Sequence, residues 1–224
     1  MARGASAWVA GACAVAVAGG LVLLSRDTGV AAGYFLASRV AYVLFVGIAL
    51  RAQDTREAWT RRWGNEGGYR MFRGVASLFM ANDALSIVLV CVVTRGTLSH
   101  AVPLWIVDLA GAILVVLGVT VKGWAVATLG RESFFWRSFF APPGESGYSA
   151  EGPYRHLVNP MYSVGYAHAY GLALLLSSLH GLGASLLAHA SILVFYAWVE
   201  RPHNRRLRAA AGQEAAALPD DGRR

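Results

Sequence analysis

With 224 residues, 56 % of them apolar or aromatic, only 15 % charged and a mean hydropathy of +0.45, the chain lacks the polar surface that a soluble domain of this size needs. Its formal charge of +7 is almost entirely arginine, Lys122 being the only lysine, and the arginines stand between apolar runs, which excludes a nucleic-acid-binding patch. An all-α, polytopic transmembrane bundle remains.

Apolar runs predict spans near 7–24, 31–50, 74–94 and 101–121, and 161–200 is long enough for two more with a turn near Ser178–Gly183. A bilayer crossing takes about 20 helical residues, so about six spans are expected. The first run follows Arg3, and a cleaved signal peptide is the alternative to a retained span. Cys13 and Cys91 each lie in an apolar run and read as buried small hydrophobes, with neither a disulfide nor a metal framework.

The segment 51–73 carries six arginines (Arg51, Arg56, Arg61, Arg62, Arg70 and Arg73), and Arg201, Arg205, Arg206 and Arg208 follow the last span. Only Arg26 and Arg95 occupy the opposite connections. Arginine at helix ends marks the cytoplasmic face. Both termini, a basic loop at 51–73 and a second loop at 122–160 are therefore expected there, in a plasma membrane of bacterial type. The chain divides into N-terminal helices (1–50), the basic loop (51–73), a core (74–207) and a disordered tail (208–224).

The loop 122–160 contains RESFFWRSFF (131–140), which suits either the headgroup layer or an aromatic belt closing span four. PPGESGYSAEG (142–152) has loop composition. The chain then re-enters the membrane through PYRHLVNPMY, where Asn159 is placed to cap a helix beginning at Pro160.

Polar side chains follow where lipid would favour none. Tyr162, Tyr166 and Tyr170 recur every four residues along one helical stripe, with Gly165 beside it and His168 offset. His189, Tyr196 and Glu200 come next, and a lone carboxylate near a span end requires a partner. Asn82 and Asp83 fall in the middle of span three, and Asp108 in span four with Gly111 and Gly118. These are either polar contacts between helices, worth about 1 kcal/mol each, or the lining of one chamber bounded by spans three to six. A chamber open to the cytoplasmic face would admit a water-soluble cofactor from one side and a lipid from the other.

GPYRHLVNPMYSVGY (152–166) and AHASILVFYAWVERPHNRRL (188–207) resemble the membrane-embedded methyltransferases that act on phospholipids or isoprenylcysteine. Pro160–Tyr166, Ala188-His189 and Val199-Glu200-Arg201-Pro202-His203 are most similar to the fungal phosphatidylethanolamine N-methyltransferase family, as are YRMFRGVASLFMANDALS (69–86) and FFWRSFF. The resemblance covers roughly 55–207. It implies a C-terminal helical hairpin and a cytoplasmic-side pocket that holds S-adenosyl-L-methionine without a Rossmann domain, releasing S-adenosyl-L-homocysteine. Tyr154, Asn159, Pro160, Met161, Tyr162, Gly165, Gly130, Glu200 and His203 match the cofactor-binding positions.

The commoner second motif reads Glu-Glu-Pro; Arg201 stands at its second acid, which leaves Glu200 alone in that role. Glu200 would hold the cofactor amino group or the substrate ammonium. His168, His189 or Asp83 would accept or orient the proton, and Arg155 or Arg137 would hold the lipid phosphate. The partner is a membrane phospholipid, with no metal and no nucleic acid. A carboxylate or thiol acceptor on a prenylated or small lipophilic molecule, and a non-enzymatic transporter or scaffold, are the competing readings.

Overall fold

The computed structural model describes residues 2–130, 132–141, 152–157, 159–207 and 209. The expected tail at 208–224 (apart from Ala209) and positions 142–151 of the expected loop lie outside them. Among the described residues the α-helices are α1 (Ala2–Ser25), α2 (Thr28–Arg56), α3 (Ala58–Val93), α4 (Leu104–Leu129), α5 (Ala167–Leu175) and α6 (Leu179–Phe195). Helix α6 continues through a π-turn, Tyr196–Glu200, and stays helical to Leu207. Five helical stretches are long and apolar enough to cross a bilayer, with a shorter apolar one at Val164–Leu175. The chain is an integral membrane protein, and its re-entering segment is shorter than the span expected there.

Helix α2 shows how the sequence assigns its faces. Asp27 caps it, its carboxylate accepting from the Val30 amide at 2.9 Å. Phe35, Arg39, Tyr42, Val46, Ala49 and Gln53 are buried at alternating spacings of four and three, whereas Leu36, Val40, Leu44 and Ile48 point outward every fourth residue. The outward stripe is suited to acyl chains.

The basic segment 51–73 is not a loop. Helix α2 runs on to Arg56, Glu57 reverses the chain in the left-handed region (φ 51°), and α3 starts at once with a break at Gly64 (φ 71°). The buried Gln53 side chain accepts from the amides of Trp59 (3.1 Å) and Thr60 (3.2 Å), satisfying donors that a helix start leaves open. Charge density suggested a loop, but arginines also extend helices out of the lipid.

The segments expected to share one side do gather at one end of the bundle. Gln53 Nε2 donates to the Phe139 carbonyl at 3.2 Å, Tyr69 OH donates to the Glu132 carbonyl at 3.0 Å, and Asp54 meets His203 at 2.8 Å. At the opposite end the Leu98 amide donates to the Ser177 carbonyl at 2.8 Å, and the Thr94 and Ser178 hydroxyls lie 2.6 Å apart. The turn of the C-terminal hairpin falls at 176–178, with Ser178 capping α6 by accepting from the Gly181 amide.

One sequence expectation is corrected here. Cys13 is exposed, because α1 lies on the outside of the bundle, while Cys91 is buried as expected. The aromatic run after α4 turns part of its rings into the protein. Trp136, Phe139 and Phe140 are buried, with Phe72 packed against Trp136 (6.1 Å between ring centroids) and Phe140 (5.2 Å), and Phe195 against Trp136 (5.7 Å).

Helices α4 and α5 touch through their backbones. A Cβ on Gly118 would lie 2.4 Å from the His168 nitrogen, and one on Gly171 would lie 2.5 Å from the Gly111 oxygen. Gly111 and Gly118 therefore form a close-packing seam that fixes where α5 begins.

Candidate functional site

A cavity of about 330 Å³ lies among α2, α3, α4, the start of α5 and the end of α6. Asp83, Met161, Tyr162, His168 and Glu200, all expected from sequence, line it together with Arg39, Lys122 and Trp136. Six chain segments, on α2, α3, α4, the aromatic run, the re-entry turn with the start of α5, and the end of α6, thus contribute polar groups to one space.

Glu200 ends the π-turn of α6, where the widened helical turn interrupts regular packing. Its Oε1 accepts from Trp136 Nε1 at 2.5 Å and from Tyr162 OH at 2.6 Å. Trp136 reaches this position from a left-handed backbone (φ 55°), an uncommon conformation for a bulky residue. The partner that a lone intramembrane carboxylate requires is thus a pair of neutral donors. Burial first, and then the Glu200 charge, push the Tyr154 phenol up, so it remains an O–H donor. The Tyr154 hydroxyl is buried and has no hydrogen-bond partner among the described residues.

Asn159 does cap the re-entering chain, accepting from the Tyr162 amide at 3.1 Å. What it caps is a turn: a 3₁₀ segment at Val164–Tyr166 follows, and α5 starts only at Ala167. The tyrosine stripe is therefore broken. Tyr162 turns to Glu200, Tyr166 to Arg39 (2.7 Å) and Tyr170 to His189 (3.1 Å). A single helix would have aligned them; the fully buried Pro160 and the turn after it separate them.

The two histidines divide by their partners. His189 Nε2–H donates to the Tyr162 carbonyl at 2.7 Å, its Nδ1 accepts from Tyr170 OH, and its ring stacks on Tyr166 at 4.8 Å. With both nitrogens engaged it anchors the turn. His168 Nδ1–H donates to the Gly165 carbonyl at 2.7 Å, which leaves Nε2 as the ring's lone-pair atom, on a residue that lines the cavity.

Sequence reading passed over Arg39. It is 3 % exposed, Nη2 lies 3.2 Å from Asp83 Oδ2, and the same nitrogen donates to Tyr166 OH. The available signal was an arginine in the middle of an apolar span, which needs a counter-charge on a neighbouring span. Asn82, adjacent to Asp83, does act as a helix-to-helix contact: it accepts from Tyr34 OH at 2.5 Å and donates to Ser38 Oγ at 2.8 Å. Lys122 lies with its ammonium 5.1 Å from the centre of the Tyr166 ring.

Other expected residues are not brought to the cavity. Arg137 is engaged by Glu66 and Glu132 and lies over the Tyr69 ring (4.6 Å). Arg155 is exposed on the 3₁₀ turn Gly152–Arg155. His203 stacks on Phe139 (3.7 Å) and pairs through Nδ1 with Asp54, which also binds Arg206. Gly130 terminates α4 at φ 83°, and Asp108 sits in its first turns, away from the lining.

Residues 107–209 match the model of a family described as phospholipid methyltransferase. The chain is 26 % identical over 155 residues to a phosphatidylethanolamine N-methyltransferase of Debaryomyces hansenii, covering 65 % of this chain and 18 % of that protein. The like-named protein of Neosartorya fischeri is 37 % identical over 94 residues, 42 % of this chain and 10 % of that one. That of Schizosaccharomyces japonicus is 29 % identical over 188 residues, 79 % and 21 % respectively. The chain thus spans about a fifth or less of the length of these relatives. No solved structure matches it.

Proposed function

From the match of residues 107–209 to the phospholipid methyltransferase family, we propose an S-adenosyl-L-methionine-dependent N-methyltransferase. Its acceptor is the amine headgroup of phosphatidylethanolamine or of its monomethyl and dimethyl forms. The observation that carries this reading is the convergence of Tyr162, Trp136 and Glu200 at the wall of a cavity that also holds His168 and Asp83. The functional core is 74–207, with both termini and the cavity mouth on the cytoplasmic side, as the arginine distribution favours.

The residues present fit the cofactor. Glu200 offers an anion for its amino group, the orphaned Tyr154 hydroxyl offers a donor, and Met161 and Tyr162 offer soft and aromatic faces to a sulfonium. When bound, S-adenosyl-L-methionine supplies an electrophilic methyl group. The protein must present a neutral amine to it. A primary amine of pKa near 10 is only about 0.1 % neutral at pH 7, a handicap of roughly 4 kcal/mol. His168, with its Nε2 lone pair at the cavity, takes the proton. Asp83, whose Oδ1 is buried with no partner among the described residues, offsets the positive charge of the amine before the proton leaves. His189 takes no part in proton transfer, because both its nitrogens hold the Tyr162 turn. Alignment of nitrogen and methyl within the cavity supplies much of the remaining acceleration.

A carboxylate acceptor is already ionised at pH 7 and would leave His168 and Asp83 without a task, which favours the amine. Glu200→Gln tests the assignment. Labelled cofactor and phosphatidylethanolamine vesicles should give lipid mass gains of one to three methyl groups with the wild type, and at least ~100-fold less with the variant at equal membrane insertion. Turnover close to wild type would reject the role of Glu200.

A further inference from the structure

Resting on that reading, we infer that Lys122 and Arg39, converging on Tyr166, form an anion subsite that takes the phosphate of the acceptor lipid. The cavity's charges are unevenly matched. Arg39 pairs with Asp83 at 3.2 Å, while Glu200 is satisfied by the neutral donors Trp136 and Tyr162. Lys122 has no carboxylate within ion-pair distance among the described residues; its described polar environment is the face of Tyr166, 5.1 Å away. The cavity lining thus carries two cations, Arg39 and Lys122, and two carboxylates, Asp83 and Glu200, but among the described residues only Arg39 and Asp83 lie within ion-pair distance of each other. An unmatched cation away from water is costly unless a counter-ion arrives with a ligand.

The donors there are unfilled. Arg39 is more than nine-tenths buried, and its Nε has no partner among the described residues. Tyr166 OH accepts from Arg39 Nη2, and its own hydrogen has no acceptor among the described residues. Lys122 adds an ammonium with three donors. An anion with several oxygens, such as a phosphate diester, can engage all three groups, and a guanidinium edge suits it well.

Two sources could bring an anion here, the lipid phosphate and the cofactor carboxylate, and the surroundings favour the lipid. On α3 the cavity wall continues through Ala84, Ile87 and Val88, and Val88 is 39 % exposed on the apolar exterior of the bundle. An acyl chain lying along that wall leads its phosphate to Lys122. Glu200 and its two donors come from the re-entry turn, the aromatic run and the end of α6, the segments that carry the cofactor reading. This subsite replaces Arg155 and Arg137 in the phosphate role, since the first is exposed outside the cavity and the second is held by Glu66 and Glu132.

The test compares wild type, Lys122→Met and Lys122→Arg in detergent, using dihexanoyl-phosphatidylethanolamine as acceptor. Dihexanoyl-phosphatidic acid serves as an amine-free competitor, and S-adenosyl-L-methionine binding is followed by calorimetry. Lys122→Met should raise the acceptor KM about 10- to 100-fold and weaken the phosphatidic acid Ki by a similar factor. Its cofactor Kd should stay within about twofold, and Lys122→Arg should recover most of the loss. A weakened cofactor Kd with an unchanged acceptor KM would assign the anion to the cofactor and overturn the inference; so would no change in either. Should wild type bind no cofactor and transfer no methyl group, the proposed function fails by itself. Phosphatidic acid binding that Lys122→Met abolishes would then still uphold the subsite.

Discussion

Replacing Tyr162 with Phe removes one oxygen and leaves the rest of the turn intact. The lost hydroxyl donates to Glu200 Oε1 at 2.6 Å. The Tyr162 amide keeps its bond to Asn159, its carbonyl keeps the one from His189, and the ring keeps its edge contact with Tyr196 (6.1 Å between centroids). A hydrogen bond to a charged acceptor contributes about 1.5–3 kcal/mol. Trp136 Nε1, at 2.5 Å, still donates to the same oxygen, so the lower part of that range applies. A loss of about 1.5–2 kcal/mol is roughly a 10- to 30-fold weakening of cofactor affinity or of kcat/KM. Calorimetric binding and initial methyl-transfer rates measure it, with thermal unfolding as the control for folding. In a Glu200→Gln background the same substitution should cost far less, because the two residues act through one bond. An activity within twofold of wild type, or an undiminished loss in that background, would refute the assignment of Tyr162 to Glu200.

Gly118→Val forces side-chain atoms onto the His168 backbone, and should lower stability by about 1–3 kcal/mol, read as a fall in Tm, with activity lost as α5 shifts. Asp54→Asn weakens the group that His203 and Arg206 share, and should cost about 1–3 kcal/mol in unfolding experiments while changing cofactor Kd less than about threefold. A larger change in Kd would return His203 to the cofactor site. His168→Gln should abolish the acidic limb of the pH–rate profile, whereas His189→Asn should lower kcat with that limb retained, because both His189 nitrogens are bonded within the protein while His168 is bonded through Nδ1 and offers Nε2 to the substrate. Loss of the limb in the His189 variant would reverse the two assignments.

The spans were legible because lipid imposes a simple rule on sequence: a crossing must be helical and mostly apolar. Arginine positions likewise grouped the segments that the fold gathers at one end. Charge alone misled at 51–73, where helices continue past the apolar runs and Gln53 stitches the turn between them. Glu200, Asp83, His168 and Tyr162 were legible as polar groups that an apolar segment has to justify. Arg39 met the same criterion and was missed, since its counter-charge Asp83 lies on another span, 44 residues away in the sequence.

Composition and local pattern, then, determined that this chain lives in a membrane, where its helices run, and which few polar residues demand an explanation. Which of those residues meet was decided only in three dimensions. Hydrogen-bond partners depend on distances between segments that are remote in sequence: 38 residues separate Tyr162 from Glu200, 64 separate Trp136 from Glu200, and 127 separate Arg39 from Tyr166. Helical periodicity carries no information at that range. The packing of α4 against α5, the break at Pro160 and the π-turn of α6 supply it.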